Sequence, residues 1–178
     1  ENMKRQAIQT GDFNTDNFNL WGKQWLLLTA GELEYDAFNS MTVAWGSIGV
    51  MWNKPFVQVV VRPTRYTFSF IEKFDTFTLC AFGEEFRDKL KYFGRVSGKD
   101  ENKAEISGMK VIPSLTVDCP SYDEAELIIE CRKIYASRFS PSEFIDPSIN
   151  ENYSDNDHHL IYYGEVLSIT GTDRYRKV

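Results

Sequence analysis

Apolar positions along the chain follow two periods, and the period sorts the segments. Trp25 to Thr29 is a short unbroken apolar run that reads as a first buried strand. Gly31 and the polar stretch to Asp36 turn the chain into a second strand, expected over Met41 to Val50. Asn53-Lys54-Pro55 is a turn signal, and Phe56 to Arg62 follows as a β-branched run with Val57, Val59 and Val61 on one face. After Pro63 the spacing lengthens. Tyr66, Phe70 and Phe74 recur every four residues beside Thr67 and Ile71, which predicts a short amphipathic helix with Thr64 as its N-cap.

Phe77 to Phe82 returns to strand character. Glu84 to Phe93 predicts a second helix, with Glu84 and Glu85 in its first turn, Lys89 and Lys91 in its last, and Gly94 as its stop. Residues 97–108 read as a polar, charged loop. Three further strands are expected over Lys110 to Thr116, Glu126 to Arg138 and Leu160 to Ile169, the last two separated by a long loop, Ser140 to Asp157. Long loops in compact domains are often functional. Residues 1–19 are polar and are expected to be a loosely held lead-in. Six or seven strands with two short helices, and no regular helix between strands, predict a mainly β, antiparallel barrel rather than a doubly wound sheet.

Composition narrows the class. The 178 residues suit a single domain spanning 1–178, and 15% aromatic content rules out a disordered chain. The longest strong apolar run, Phe56 to Val61, is far short of the roughly 18 residues of a membrane span, so no membrane partner is expected. A net charge of −6 argues against nucleic acid as a partner, because a phosphate backbone selects basic surfaces. Cys80, Cys119 and Cys131 form no C-x-x-C pair, and with only two histidines no metal site is expected. Buried thiols in a reducing, cytoplasmic setting are the reading, and the N-terminus shows no pattern of a secretory leader.

The common nucleotide and hydrolase signatures are missing: no G-x-G-x-x-G after a strand, no P-loop, no H-E-x-x-H and no G-x-S-x-G. Three local features remain, each with two readings. Arg62-Pro63-Thr64-Arg65-Tyr66-Thr67 joins a strand to a helix and is either a seat for phosphate or a capped helix with an exposed arginine. Asn39 to Ser47 either presents polar groups and the Trp45 indole to a flat ring or places Trp45 in the core. Asp157-His158-His159 either meets a ligand or forms a solvated turn. Ser97-Gly98-Lys99, with Lys103 after it, reads by itself as a glycine turn with exposed lysines, and Cys80 and Cys131 as inert core thiols.

Taken in order, Asn39-x-Met41-Thr42-x-Ala44-Trp45-Gly46, Lys54-Pro55-Phe56, Val61-Arg62-x-Thr64-x-Tyr66-Thr67, Tyr92-Phe93-Gly94-x-Val96-Ser97-Gly98 and His159-x4-Gly164-Glu165-Val166 resemble the flavin reductase-like family, and within it the flavoredoxin-like proteins. The resemblance runs from about Trp25 to Ile169. It implies an FMN-binding split β-barrel, antiparallel and Greek-key-like, that acts as a homodimer. It also implies an oxidoreductase passing hydride from NAD(P)H to bound flavin and on to an unknown small-molecule or redox-protein acceptor. The alternative is a flavoredoxin-like carrier reduced by a protein partner. On this resemblance Asn39, Thr42, Trp45 and Gly46 would lie along the flavin ring, and Arg62, Thr64 and Thr67 would serve the ribityl phosphate. Ser97, Gly98 and Lys103 would stand near the flavin, and His159 would be the catalytic residue meeting flavin or nicotinamide. One departure bears on nicotinamide use: where the reductase branch has Gly-Asp-His, this chain has Asn156-Asp157-His158-His159.

Overall fold

Two-sided burial explains why the first strand reads as an unbroken apolar run. The structure, a computed structural model, describes residues 4–178. In chain order its elements are β1 (Gln6–Ala7), α1 (Asn17–Asn19), β2 (Leu26–Glu32), β3 (Ala37–Val43), β4 (Gly46–Met51) and β5 (Lys54–Val61). These are followed by α2 (Thr67–Lys73), β6 (Thr76–Ala81), α3 (Arg87–Arg95), α4 (Lys103–Ser107), β7 (Val111–Ile112), β8 (Ser121–Tyr122), β9 (Leu127–Arg138) and β10 (Leu160–Gly171). On β2, Leu26 and Leu28 face a core shared with Val57, Val59, Phe77 and Ile129. Leu27, on the opposite face, joins Cys80, Leu90, Phe93 and Tyr122 in a second core under α3. Truncating Leu28 to Ala in such a site costs about 2–5 kcal/mol.

The main sheet runs β3-β2-β6-β9-β10-β5-β4, all neighbours antiparallel, with β1 added beside β10. The two strands at its ends, β3 and β4, are consecutive in the chain but do not pair; Ala44 and Trp45 link them. The barrel wall is therefore open along one seam, between β3 and β4.

Several expectations need correction. The expected strand from Met41 to Val50 is two strands, because the chain crosses the seam at Ala44-Trp45. The helix expected to be capped by Thr64 begins at Thr67, with no side-chain cap. Residues 62–66 turn instead, and the amides of Arg65 and Phe68 donate to the carbonyls of Arg62 and Arg65. Gly94 does not stop the second helix: a 3₁₀ turn at Glu84–Phe86 leads into α3, which runs on to Arg95 while Gly94 rests against Thr42. The polar stretch 97–108 contains α4, capped by the Asn102 side chain and ended by Gly108 in the left-handed region. Only Val111–Ile112 of the expected strand over Lys110 to Thr116 pairs. Beyond Pro113 the chain is held instead by the buried Glu130 carboxylate, which accepts from the amides of Leu115 and Thr116 at 2.7 and 2.6 Å. The lead-in is held as well, where it is described: β1 pairs with β10 and Ile8 is buried. Residues 1–3 of that lead-in lie outside the described residues.

Candidate functional site

Two cavities lie side by side at the open seam and share Arg65 as a common wall. The first, about 180 Å³, is lined by Asn39, Thr64, Arg65, Thr67, Ser97 and Lys103 among others. It gathers cations without anions. Lys103 is 3% exposed, and its ammonium donates to the Phe93 carbonyl at 3.1 Å. Arg65 and Arg95 line the same space. Among the described residues none of these three makes a salt bridge. Burial lowers the Lys103 ammonium to about 8, and the neighbouring Arg65 charge adds to the effect. Burial disfavours the charge on Arg65 too. The buried Lys103 and the half-buried Arg65 thus hold their charges at an electrostatic cost that an incoming anion would relieve.

Asn39 and Thr67 frame this end. The Asn39 amide donates to Thr67 Oγ1 at 2.7 Å, which ties β3 to the start of α2. A Cβ on Gly98 would run into Asn39 Oδ1, so the loop after α3 approaches this closely only with glycine there.

The second cavity, about 250 Å³, is lined by Met41, Thr42, Val43, Ala44, Trp45, Val60, Arg62, Arg65 and His159. Trp45 is 50% exposed, and its ring lies 5.3 Å from the His159 ring, tilted by 52°. Here Arg62 is paired. Arg62 donates to the Asp157 carboxylate and to the Asn152 carbonyl, each at 2.8 Å, and its guanidinium lies 5.0 Å from the Tyr153 ring centre. The loop between β9 and β10 is thus fastened to the end of β5, and turns at Pro141–Glu143 and Pro147–Asn152 give it its shape. Burial, with the Arg62 charge, lowers His159 to about 4, so its imidazole is neutral at pH 7. Hydrogen bonding from Arg62 holds Asp157 below the usual carboxylate range.

The structure thus divides the residues singled out in the sequence. Thr64, Thr67, Ser97, Gly98, Lys103 and Asn39 meet at the cationic cavity, and Thr42, Trp45, Arg62 and His159 at the aromatic one. Thr42 also anchors α3, its hydroxyl donating to the Leu90 carbonyl at 2.5 Å. Gly46 lies at neither cavity. A Cβ there would meet the Trp21 ring and the Gln58 carbonyl, so its glycine serves close packing against Trp21 and the neighbouring strand β5. Lys103, expected to be exposed on its local sequence, is buried. Arg65, Arg95 and Tyr153 were missed. Arg65 stands inside the Arg-Pro-Thr-Arg motif, and no local signal in the sequence sets it apart from Arg62.

The sequence pattern of the "Flavin reductase like domain" family matches residues 23–177. Among solved structures, an FMN-binding domain of a flavin reductase-like enzyme from Shewanella baltica superimposes with a TM-score of 0.68 at 17% identity, covering 96% of this chain and 78% of that one. A flavoredoxin from Methanosarcina acetivorans gives 0.67 at 21% identity, covering 87% and 74%. Component B of nitrilotriacetate monooxygenase from Bacillus cereus gives 0.67 at 17%, covering 90% and 77%. At these identities the likeness is one of fold.

Proposed function

The chain belongs to the flavin reductase-like domain family, and from that premise we propose that it binds FMN across the two seam cavities and works as a flavin oxidoreductase. The observation that carries the proposal is the cluster of Arg65, Arg95 and Lys103, three cations without carboxylate partners among the described residues, beside the hydroxyls of Thr64, Thr67 and Ser97. That donor set suits a phosphate. The half-exposed Trp45, reached past the shared Arg65, offers an aromatic face to the planar end of the same ligand. The residues present therefore fit FMN: Arg65, Lys103 and the hydroxyls would hold its phosphate, and Thr42, Trp45 and His159 would flank its ring. Arg62, whose guanidinium is taken by Asp157 and Asn152, would act on the ring end through the loop it fastens.

When bound, the flavin supplies a centre that accepts hydride and releases electrons. The protein's own part is orientation and charge. Arg65 and Lys103 counter the phosphate, and the neutral His159 gives the ring end a hydrogen-bonding group without adding a cation. Hydride from NAD(P)H is the proposed electron source, and the final acceptor is a small molecule or a redox protein. The flavoredoxins among the solved relatives support a second reading, in which a redox protein reduces the flavin. Homodimerisation and a cytoplasmic setting complete the proposal; three buried free cysteines support a reducing compartment.

The test is an anaerobic visible spectrum of the FMN-saturated protein during addition of NADH and then NADPH. Bleaching within seconds is expected. A flavin that stays yellow with both nicotinamides but is reduced by a ferredoxin-type donor would establish the carrier. A protein that retains no FMN would overturn both readings.

A further inference from the structure

We infer that Tyr153 is a positioning residue: its hydroxyl fixes His159 as the tautomer that carries its proton on Nε2, giving the Trp45 cavity a hydrogen-bond donor. The inference deepens the proposed function and rests on it for the identity of the ligand, though not for the tautomer. Tyr153 is buried, and its hydroxyl lies 2.8 Å from His159 Nδ1. That contact can run in either direction, and the surroundings choose. Nδ1 is the hydroxyl's only hydrogen-bond acceptor among the described residues; the His159 backbone amide, which also faces the phenol oxygen, can only donate to it. If Nδ1 carried the proton and donated, the phenol proton would be left buried with no acceptor. If the phenol donates, Nδ1 accepts and the imidazole proton must sit on Nε2. Burial raises the Tyr153 phenol above its ordinary range, so its proton is present at neutral pH.

The opposite edge of the ring is free for a ligand. His159 lines the cavity beside Trp45, and no described group bonds its Nε2. His158 shows the contrast: its Nε2 is buried without a partner among the described residues, and its ring stacks on Tyr153 at 4.4 Å. Tyr153 is itself held from two sides, by this stack and by the Arg62 guanidinium above its ring. The loop between β9 and β10 thus delivers one hydroxyl to one nitrogen. An N–H donor at this position suits a ligand that presents a carbonyl or nitro oxygen, or a bare ring nitrogen.

The experiment is a long-range ¹H–¹⁵N spectrum of the imidazoles at neutral pH, in which protonated and bare ring nitrogens resonate far apart. Only His158 and His159 contribute, and sequential assignment separates them. His159 is expected to show a protonated Nε2 and a bare Nδ1, and Tyr153→Phe, which keeps the ring stack, is expected to turn this single tautomer into a mixture. A wild-type spectrum with the proton on Nδ1 overturns the inference without any variant, and so does a Tyr153→Phe spectrum identical to wild type. Addition of FMN then tests the function separately. A shift of the His159 Nε2 signal supports the inferred donor. FMN that leaves every seam residue unshifted sinks the proposed function, while the tautomer stands or falls on the first two spectra.

Discussion

Arg62 and Arg65 flank the same Pro-Thr dipeptide, and the two ends of the seam use them in opposite ways. At the aromatic end Arg62 is consumed by the protein: a carboxylate, a carbonyl and a tyrosine ring take its charge. At the cationic end Arg65 meets Lys103, a second cation, and makes no salt bridge among the described residues. A paired charge holds the fold in place. An unpaired, half-buried one costs stability until something outside the chain neutralises it. The difference teaches which end expects the anion, and the comparison breaks if the two arginines prove interchangeable.

The largest expected effect is therefore on Arg65. Arg65→Met is expected to weaken FMN binding by about 1.5–3 kcal/mol, roughly ten- to a hundredfold, the worth of a hydrogen bond to a charged partner. Arg62→Met is expected to change it only a few-fold. Fluorescence titration of FMN into each variant measures both, and a larger loss at Arg62 would reverse the assignment of the two ends.

Lys103 sharpens the same contrast through pH. Its ammonium loses its proton at about 8 in the folded protein, and a bound phosphate would hold that proton to higher pH. Binding above 8 must then take up a proton, so FMN affinity is expected to fall as pH rises past 8. Lys103→Met is expected to lower affinity at pH 7 and to abolish that slope. The same substitution has the opposite effect on the ligand-free fold. The folded value lies below the unfolded one, so at pH 7 the buried cation opposes folding, and its removal is expected to raise the melting temperature. A variant that loses both affinity and stability would mark Lys103 as a packing residue.

At the aromatic end the corresponding titration is that of His159, and its window is acidic. Between about 4 and 6.5 the unfolded chain holds a proton on this imidazole that the folded chain refuses. Its contribution to stability is complete above 6.5 and is lost as pH falls toward 4. Melting temperatures across that range are expected to fall less steeply in His159→Gln than in wild type. Equal slopes would show that burial of this ring carries no such penalty.

The long strands were legible in the sequence, because burial on two faces or clean alternation leaves a strong pattern over Leu127–Arg138 and Leu160–Gly171. The break at Ala44-Trp45 was not. Met-Thr-Val-Ala-Trp-Gly-Ser-Ile is continuous strand chemistry, and only the crossing of the seam, where Gly46 meets Trp21, interrupts it. The late start of α2 was hidden for a related reason: Tyr66 keeps the spacing of Phe70 and Phe74, although the turn at 62–66 leaves it outside the helix. At the site, residue types were readable and partners were not. Nothing local distinguishes Arg62 from Arg65, since the partner that does so, Asp157, lies 95 positions along the chain. Burial of Lys103 was equally invisible, because a five-residue helix has too few turns to show a periodic face.

The smallest expected effect isolates the loop itself. Asp157→Asn removes the carboxylate that fastens the loop to Arg62 and leaves both barrel cores untouched. Global melting is expected to move little, since a single ion pair near the surface adds little to stability. Local opening is another matter, because the loop's hold on β5 runs through Arg62 and its charge partner. Glu143 and Glu151 are exposed within the loop, so a glutamate-specific protease reads its opening directly. Cleavage at these two positions is expected to accelerate severalfold in Asp157→Asn. As a control, Lys54→Met breaks a pair with Glu165 between two hydrogen-bonded strands, where the ladder holds the chain, and should leave cleavage at both sites unchanged. Equal acceleration in the two variants would mean that Arg62 does not fasten the loop, and the aromatic end would lose the paired charge that separates it from the cationic one.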